Sequence, residues 1–109
     1  MAYDEGLAQR VREAIGDRED LEEKRMFGGI CFMVNGHMSC GLNGTDLMLR
    51  LGNEGAAAAL AEPYCREMDF TGRPLRSMVY VDAEGVREDV DLQRWVDRAV
   101  EFAAAARSR

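Results

Sequence analysis

Apolar and polar positions alternate most clearly between Arg25 and Leu51. The run reads Arg-Met-Phe-Gly-Gly-Ile-Cys-Phe-Met-Val, then Asn35-Gly36, His-Met-Ser-Cys-Gly-Leu, Asn43-Gly44 and Thr-Asp-Leu-Met-Leu-Arg-Leu. Asn-Gly between apolar runs is the strongest short hairpin signal, because a type I′ turn needs φ > 0 at both central residues. Two such dipeptides predict a three-stranded meander, and treating each as a two-residue loop sets its register. Val34 then opposes His37, Met33 opposes Met38, Phe32 opposes Ser39 and Cys31 opposes Cys40. Across the second turn, Leu42 opposes Thr45, Cys40 opposes Leu47 and Met38 opposes Leu49.

Strand alternation divides this meander into two faces. One carries Cys31, Met33, Met38, Cys40, Leu42, Leu47, Leu49 and Leu51, has no charged member, and is expected under helices. The other carries Ile30, Phe32, Val34, His37, Ser39, Gly41, Asp46, Met48 and Arg50. It is apolar in the middle, polar at its ends and has a glycine hole, a composition suited to a partner or ligand.

Periodicity supplies the remaining elements. Asp4 can cap a helix with Leu7, Val11, Ala14 and Ile15 on one stripe, ending near Gly16-Asp17. Asp17 to Glu23 is acidic and reads as a solvated connection with Leu21 tucked under. Asn53 is a good N-cap for a short helix through Ala56–Leu60, stopped by Pro63. Strand candidates follow at Glu67–Phe70 and Met78–Val81, joined by the turn-rich Thr71-Gly72-Arg73-Pro74. Glu84-Gly85 makes another turn. A last helix from Asp89 or Asp91 places Leu92, Trp95, Val96, Ala99, Phe102, Ala103 and Ala106 at helical spacing. The expected fold is therefore α+β, with the order helix, three strands, helix, two strands, helix, and with helices packed on one face of an antiparallel sheet.

Length and charge narrow the function. The 109 residues make one domain, residues 1–109, with a single core. The net charge of −6 argues against direct nucleic-acid binding, which needs clustered Lys and Arg. No apolar run approaches the roughly 20 residues of a membrane span, and the N-terminus lacks a secretory pattern. The expectation is a cytoplasmic, reduced protein away from membranes.

Candidate chemistry is sparse. In the derived register Cys31 and Cys40 form a non-hydrogen-bonded pair, whose Cα atoms come within about 4.5 Å; a redox switch is physically possible there, and free thiols are the expectation. The sole histidine, His37, projects away from Cys40, and no Cys-x-x-Cys exists, so no metal site is expected. Any nucleophilic triad would run through His37 and Ser39, yet no carboxylate is placed to orient the ring. Gly28-Gly29 lacks the helix and lysine of a phosphate loop. No catalytic residue, cofactor or metal is therefore assigned. The methionines carry more information: Met26, Met33, Met38, Met48, Met68 and Met78, six of the seven, fall in predicted strands. Methionine fills irregular gaps and lines adaptable binding surfaces; Met33 and Met38 are expected in the core, and Met48 on the open face.

The stretch Arg25-Met26-Phe27-Gly28-Gly29, followed by Phe32, Asn35-Gly36 and Cys40-Gly41, resembles the signature of TfoX amino-terminal domains. The likeness continues through Leu47–Leu51, Pro63, Met68 to Pro74 and Trp95. The resemblance implies a cytoplasmic α+β domain similar to type III secretion chaperones, which pair into homodimers and hold protein segments. TfoX/Sxy regulators promote bacterial natural competence with the cAMP receptor protein and carry a second, carboxy-terminal domain. This chain ends after its terminal helix, so a single-domain form is expected. The family supplies no catalytic residues. Physically, Gly28-Gly29 lets the backbone bulge or pass close to another element, Phe27 can plug the core, and Arg25 stays at an edge within reach of a partner carboxylate. The same glycines leave the faces of Met26 and Phe27 unassigned.

Three functional classes follow. The first is a regulatory or protein-interaction module, expected to be dimeric, using Arg25, Ile30, Phe32, Val34, His37, Met48 and Arg50. A small-ligand binder or unrecognised enzyme with a pocket around Gly41, His37 and Arg50 is the second. The third, a nucleic-acid-associated regulator, rests on the family resemblance alone.

Overall fold

A computed structural model of the chain describes residues 3–26, 28–68 and 75–106. Helix α1, Glu5–Ile15, starts at Asp4, whose carboxylate accepts from the Gly6 and Leu7 amides at 2.9 and 3.2 Å. It ends at Gly16 with φ of 77°. Strands β1 (Leu21–Met26), β2 (Gly29–Val34), β3 (His37–Asn43) and β4 (Asp46–Arg50) follow, then helix α2, Gly52–Ala59. Strands β5 (Cys65–Met68) and β6 (Leu75–Val81), a 3-10 turn (Ala83–Val86) and helix α3 (Asp89–Ala105) complete the order. All six strands join one antiparallel sheet in the spatial order β1-β2-β3-β4-β6-β5. The α+β class read from the pattern is the observed one.

Several expected elements differ, each for a physical reason. Residues 21–23 are not a solvated connection but the start of β1, an edge strand with five exposed residues. An edge strand charged on both faces leaves no apolar alternation to detect. Asn53 does not cap α2: the cap position is Leu51, without a side-chain bond, and Asn53 sits in the first turn. Gly52 fixes that entry with φ of 78°, and a Cβ there would stand 2.6 Å from the Phe102 ring of α3. Strand β5 begins two residues before the expected Glu67, and β6 three before Met78. Asp69, Phe70 and the Thr71–Pro74 turn lie outside the described residues, as do Phe27 and the 107–109 tail.

The first hairpin closes as expected, Val34 opposing His37, with φ of 56° at Asn35 and 77° at Gly36. Beyond it the register departs from the expected one. Met33 pairs with Met38 but Phe32 pairs with Cys40, so Ser39 is an extra residue in β3. The Ser39 hydroxyl, fully buried, donates to the Phe32 carbonyl at 2.7 Å and holds this bulge. A one-residue slip inverts every side chain beyond it. Hence Cys31 opposes Gly41 rather than Cys40, and Ile30 opposes Leu42. The second turn centres on Gly44-Thr45, since Asn43 opposes Asp46. That moves the pairing by two positions, which preserves the faces of Cys40, Leu42, Leu47 and Leu49.

One face accordingly buries Ile30, Phe32, Cys40, Leu42, Leu47, Leu49, Val79 and Val81 against Leu7 and Val11 of α1 and Leu92, Trp95, Val96 and Ala99 of α3. Ala56 and Ala59 bring α2 into the same core. Trp95 is 2% exposed and Phe32 fully buried. No helix among the described residues is long and apolar enough to cross a membrane.

Candidate functional site: a methionine-lined sheet face

The opposite face gathers the sulfur of the molecule. Reading across the sheet, one continuous row runs Lys24, Cys31, Gly41, Met48, Tyr80, Arg66 through β1, β2, β3, β4, β6 and β5. Around it Cys31, Met48, Met68 and Met78 form a second buried cluster, and Met33, Met38, Leu75 and Tyr80 pack over them half-buried. Every member is a strand residue; among the described residues no helix contributes to this cluster. The floor is thus apolar, flexible and polarizable, because an unbranched thioether has three rotatable bonds.

Two features shape this floor. Gly41 sits in its centre, where a Cβ would come within 2.6 Å of the Ile30 carbonyl, 3.0 Å of the Met48 methyl and 3.1 Å of the Cys31 sulfur. The expected glycine hole is therefore filled from within by those neighbours. At the β5 side, Arg66 lies over the Tyr80 ring at 4.7 Å and binds Asp46 at 2.6 Å as well as Asp82. This ionic clasp closes one rim, while exposed Glu22, Lys24 and Met26 form the other along β1. A cleft of about 420 Å³ adjoins the floor, lined by Asn53 and Ala57 of α2, Leu60 just past its end, Glu67 of β5, and Leu75, Arg76 and Met78 of β6.

The residues expected to form an open interaction face are not brought together. Ile30 and Phe32 belong to the helix-covered core, and Val34 is buried. Met48 is on the other side, because the Ser39 bulge inverted β2 relative to β4. His37 is half-buried opposite Val34. Arg50 turns its guanidinium 5.2 Å over the Phe102 ring of α3, so with Gly41 filled, the pocket expected around His37, Gly41 and Arg50 does not form from these residues. Met33 and Met38, assigned to the helix-covered side by the simple register, lie instead on the methionine-lined floor. Arg25 is exposed on the β1 edge.

The cysteines are all free and do not form the expected opposed pair. Cys31 joins the methionine cluster and Cys40 the helix-covered core. Burial pushes the Cys31 thiol up to about 11 and the Cys40 thiol up to about 12. Desolvation also raises Cys65, further raised by nearby Glu62. A protonated thiol is a poor nucleophile and a poor metal ligand, so this geometry does not activate them. Among the described residues no group of three or more His, Cys, Asp or Glu is placed to hold a metal ion.

The sequence profile of the TfoX N-terminal domain matches residues 13–103. The chain belongs to the TfoX N-terminal domain family. Neither the curated proteins nor the solved structures contain a match to it. In this TfoX N-terminal domain Met26, the last residue of β1, pairs with Gly29, the first of β2, and Gly28 has φ of 75°. A Cβ on Gly29 would overlap the Leu42 carbonyl oxygen at 1.8 Å. Close backbone approach to β3 thus explains that glycine, as the second glycine of the pair implied. Sequence reasoning missed the Arg66 clasp, whose partners are 16 and 20 residues distant, and the β1 edge, whose only signal was a run of sorted charge.

Proposed function

We propose that this domain is a non-catalytic, regulatory protein-interaction module whose working surface is the methionine-lined floor. The observation that carries the reading is a sheet face with buried Met48, Met68 and Met78, half-buried Met33 and Met38, and no helical cover among the described residues. Such a surface repacks around varied apolar side chains, the use to which adaptable methionine surfaces are put. We read the protein as cytoplasmic and bacterial, acting as a homodimer on a protein segment, without direct nucleic-acid contact at a net charge of −6. A role in competence or transcription then depends on which protein the floor holds.

Affinity purification from the native host with quantitative mass spectrometry tests this reading, comparing the wild type with a Met33→Glu/Met38→Glu variant. Circular dichroism confirms folding, and Met33→Leu/Met38→Leu serves as the apolar control. One specific protein retained by the wild type and the Leu control, and lost with the Glu variant, is the expected result. Identical protein sets for all three would remove the floor from the function.

A further inference from the structure

The two edges of the sheet are built differently. Strand β5 is four residues long, follows Pro63 closely, and has a register break between Glu67 and Met68. Such features blunt an edge. Strand β1 is six residues long and stays in unbroken register with β2 from Leu21 opposite Val34 to Met26 opposite Gly29. Among the described residues no strand pairs with its outer side. Its charges protect it from unrelated strands, yet they are sorted: Glu22 and Glu23, then Lys24 and Arg25. A strand whose first half is acidic and second half basic complements itself when a copy runs antiparallel.

The geometry points to β1 as the seam at which a second copy of this chain docks, extending the two sheets into one. This deepens the homodimer part of the proposed function and rests on it. Side-by-side antiparallel strands of identical chains are related by a two-fold axis normal to the sheet. That operation keeps both helical layers on one side, so residues of the same face must oppose each other. With Glu23 at the axis, Glu22 of each copy opposes Lys24 of the other on the methionine side. On the helix side the two Glu23 carboxylates meet, each already held by Arg12 of its own chain at 2.8 and 3.0 Å. Arg25 of each copy stands diagonally beside the opposing Glu23. Centring Lys24 instead would oppose two lysines, and Lys24 has no ion-pair partner among the described residues. The Glu23-centred register is therefore the assigned one. The dimer joins two methionine floors on one side, with the helices on the other.

Sedimentation velocity over a concentration series, at low and high salt, tests the seam. The wild type is expected to sediment as a dimer that weakens with salt, since cross-strand ion pairs at an exposed edge are screened. Glu22→Lys/Glu23→Lys gives four like basic charges and Lys24→Glu/Arg25→Glu four like acidic ones; each is expected to sediment as a monomer. Their equimolar mixture should recover a dimer-sized species. All four positions are exposed, and circular dichroism confirms that each variant folds. A monomeric wild type, a dimer that survives in both half-reversed variants, or a mixture that stays monomeric would each overturn the seam. The Met33→Glu/Met38→Glu variant is expected to remain dimeric. A monomeric wild type that still loses its captured protein through that variant would sink the seam while leaving the floor intact.

Discussion

The two faces of the sheet bury comparable rows of apolar residues by different means. On the helix side, Phe32, Leu42, Leu47, Leu49, Val79 and Val81 meet α1 and α3 around Trp95. Branched and aromatic side chains with few rotamers interlock there at interior density. On the other side Cys31, Met48, Met68 and Met78 are covered, among the described residues, by strand residues, chiefly Met33, Met38, Leu75 and Tyr80. Side chains of that kind fill space without fixing it. One side therefore specifies the fold, and the other stays adaptable. What separates them is a single extra residue, Ser39, whose bulge decides which half of β2 looks inward.

Inserting one alanine between Phe32 and Met33, opposite Ser39, is the most drastic way to break that separation. Regular pairing would then carry either Ile30, Phe32, Cys40 and Leu42 to the floor or Met33 and Met38 off it, because one position of slip exchanges the faces. The expected outcome is loss of cooperative thermal unfolding and of near-ultraviolet circular dichroism. An insertion variant that unfolds as cooperatively as the wild type would mean that the bulge does not set the faces. Next in size are substitutions within each face. Phe32→Ala should destabilise by about 3–5 kcal/mol, the range for buried phenylalanine. Met48→Leu, although equally buried, should cost less than about 1.5 kcal/mol because volume-conserving swaps are tolerated. Urea titration of both variants gives the two values; equal losses would show that the floor is packed as tightly as the helix side.

Legibility in the sequence followed the same division. The Asn35-Gly36 turn, the Asp4 cap, the Gly16 stop and the apolar stripe of α3 as far as Ala103 each depend on a few adjacent residues and stand where the pattern placed them, while Ala106 is the extended residue just past the helix. The inward set Cys40, Leu42, Leu47 and Leu49 was also readable, since an error of two positions at the second turn leaves parity unchanged. Parity in β2 was not readable: Ser39 looks like an ordinary strand residue until its hydroxyl is seen bonded to the Phe32 carbonyl. That one hydrogen bond displaced Ile30 and Phe32 from the expected interaction face. The methionines were singled out correctly as a group, yet their assembly needed β6 inserted between β4 and β5, a long-range pairing with no local signal. Arg66 reaching Asp46 and Asp82 depends on that same insertion.

The two buried thiols offer the finest comparison, because each reports on one face and neither ionises at neutral pH. Burial raises both above the ordinary 9.0, Cys31 to about 11 and Cys40 to about 12. Below pH 9 both states of the chain keep these protons, so the stabilising contribution of the neutral thiols is complete. Above it the unfolded chain ionises first, and the contribution is lost as pH rises through about 11 to 12. The urea midpoint should therefore fall with pH above 9, and Cys31→Ala and Cys40→Ala should each flatten that fall. Access separates the thiols further. Cys40 needs the helical layer to lift, whereas Cys31 needs only the methionines above it to part, an opening of lower free energy. With a thiol-specific reagent in increasing sub-denaturing urea, half-buried Cys65 should label first, Cys31 next, and Cys40 only with global unfolding. Simultaneous labelling of Cys31 and Cys40 would show the two faces opening as one unit, and the contrast between a fixed side and an adaptable one would fail.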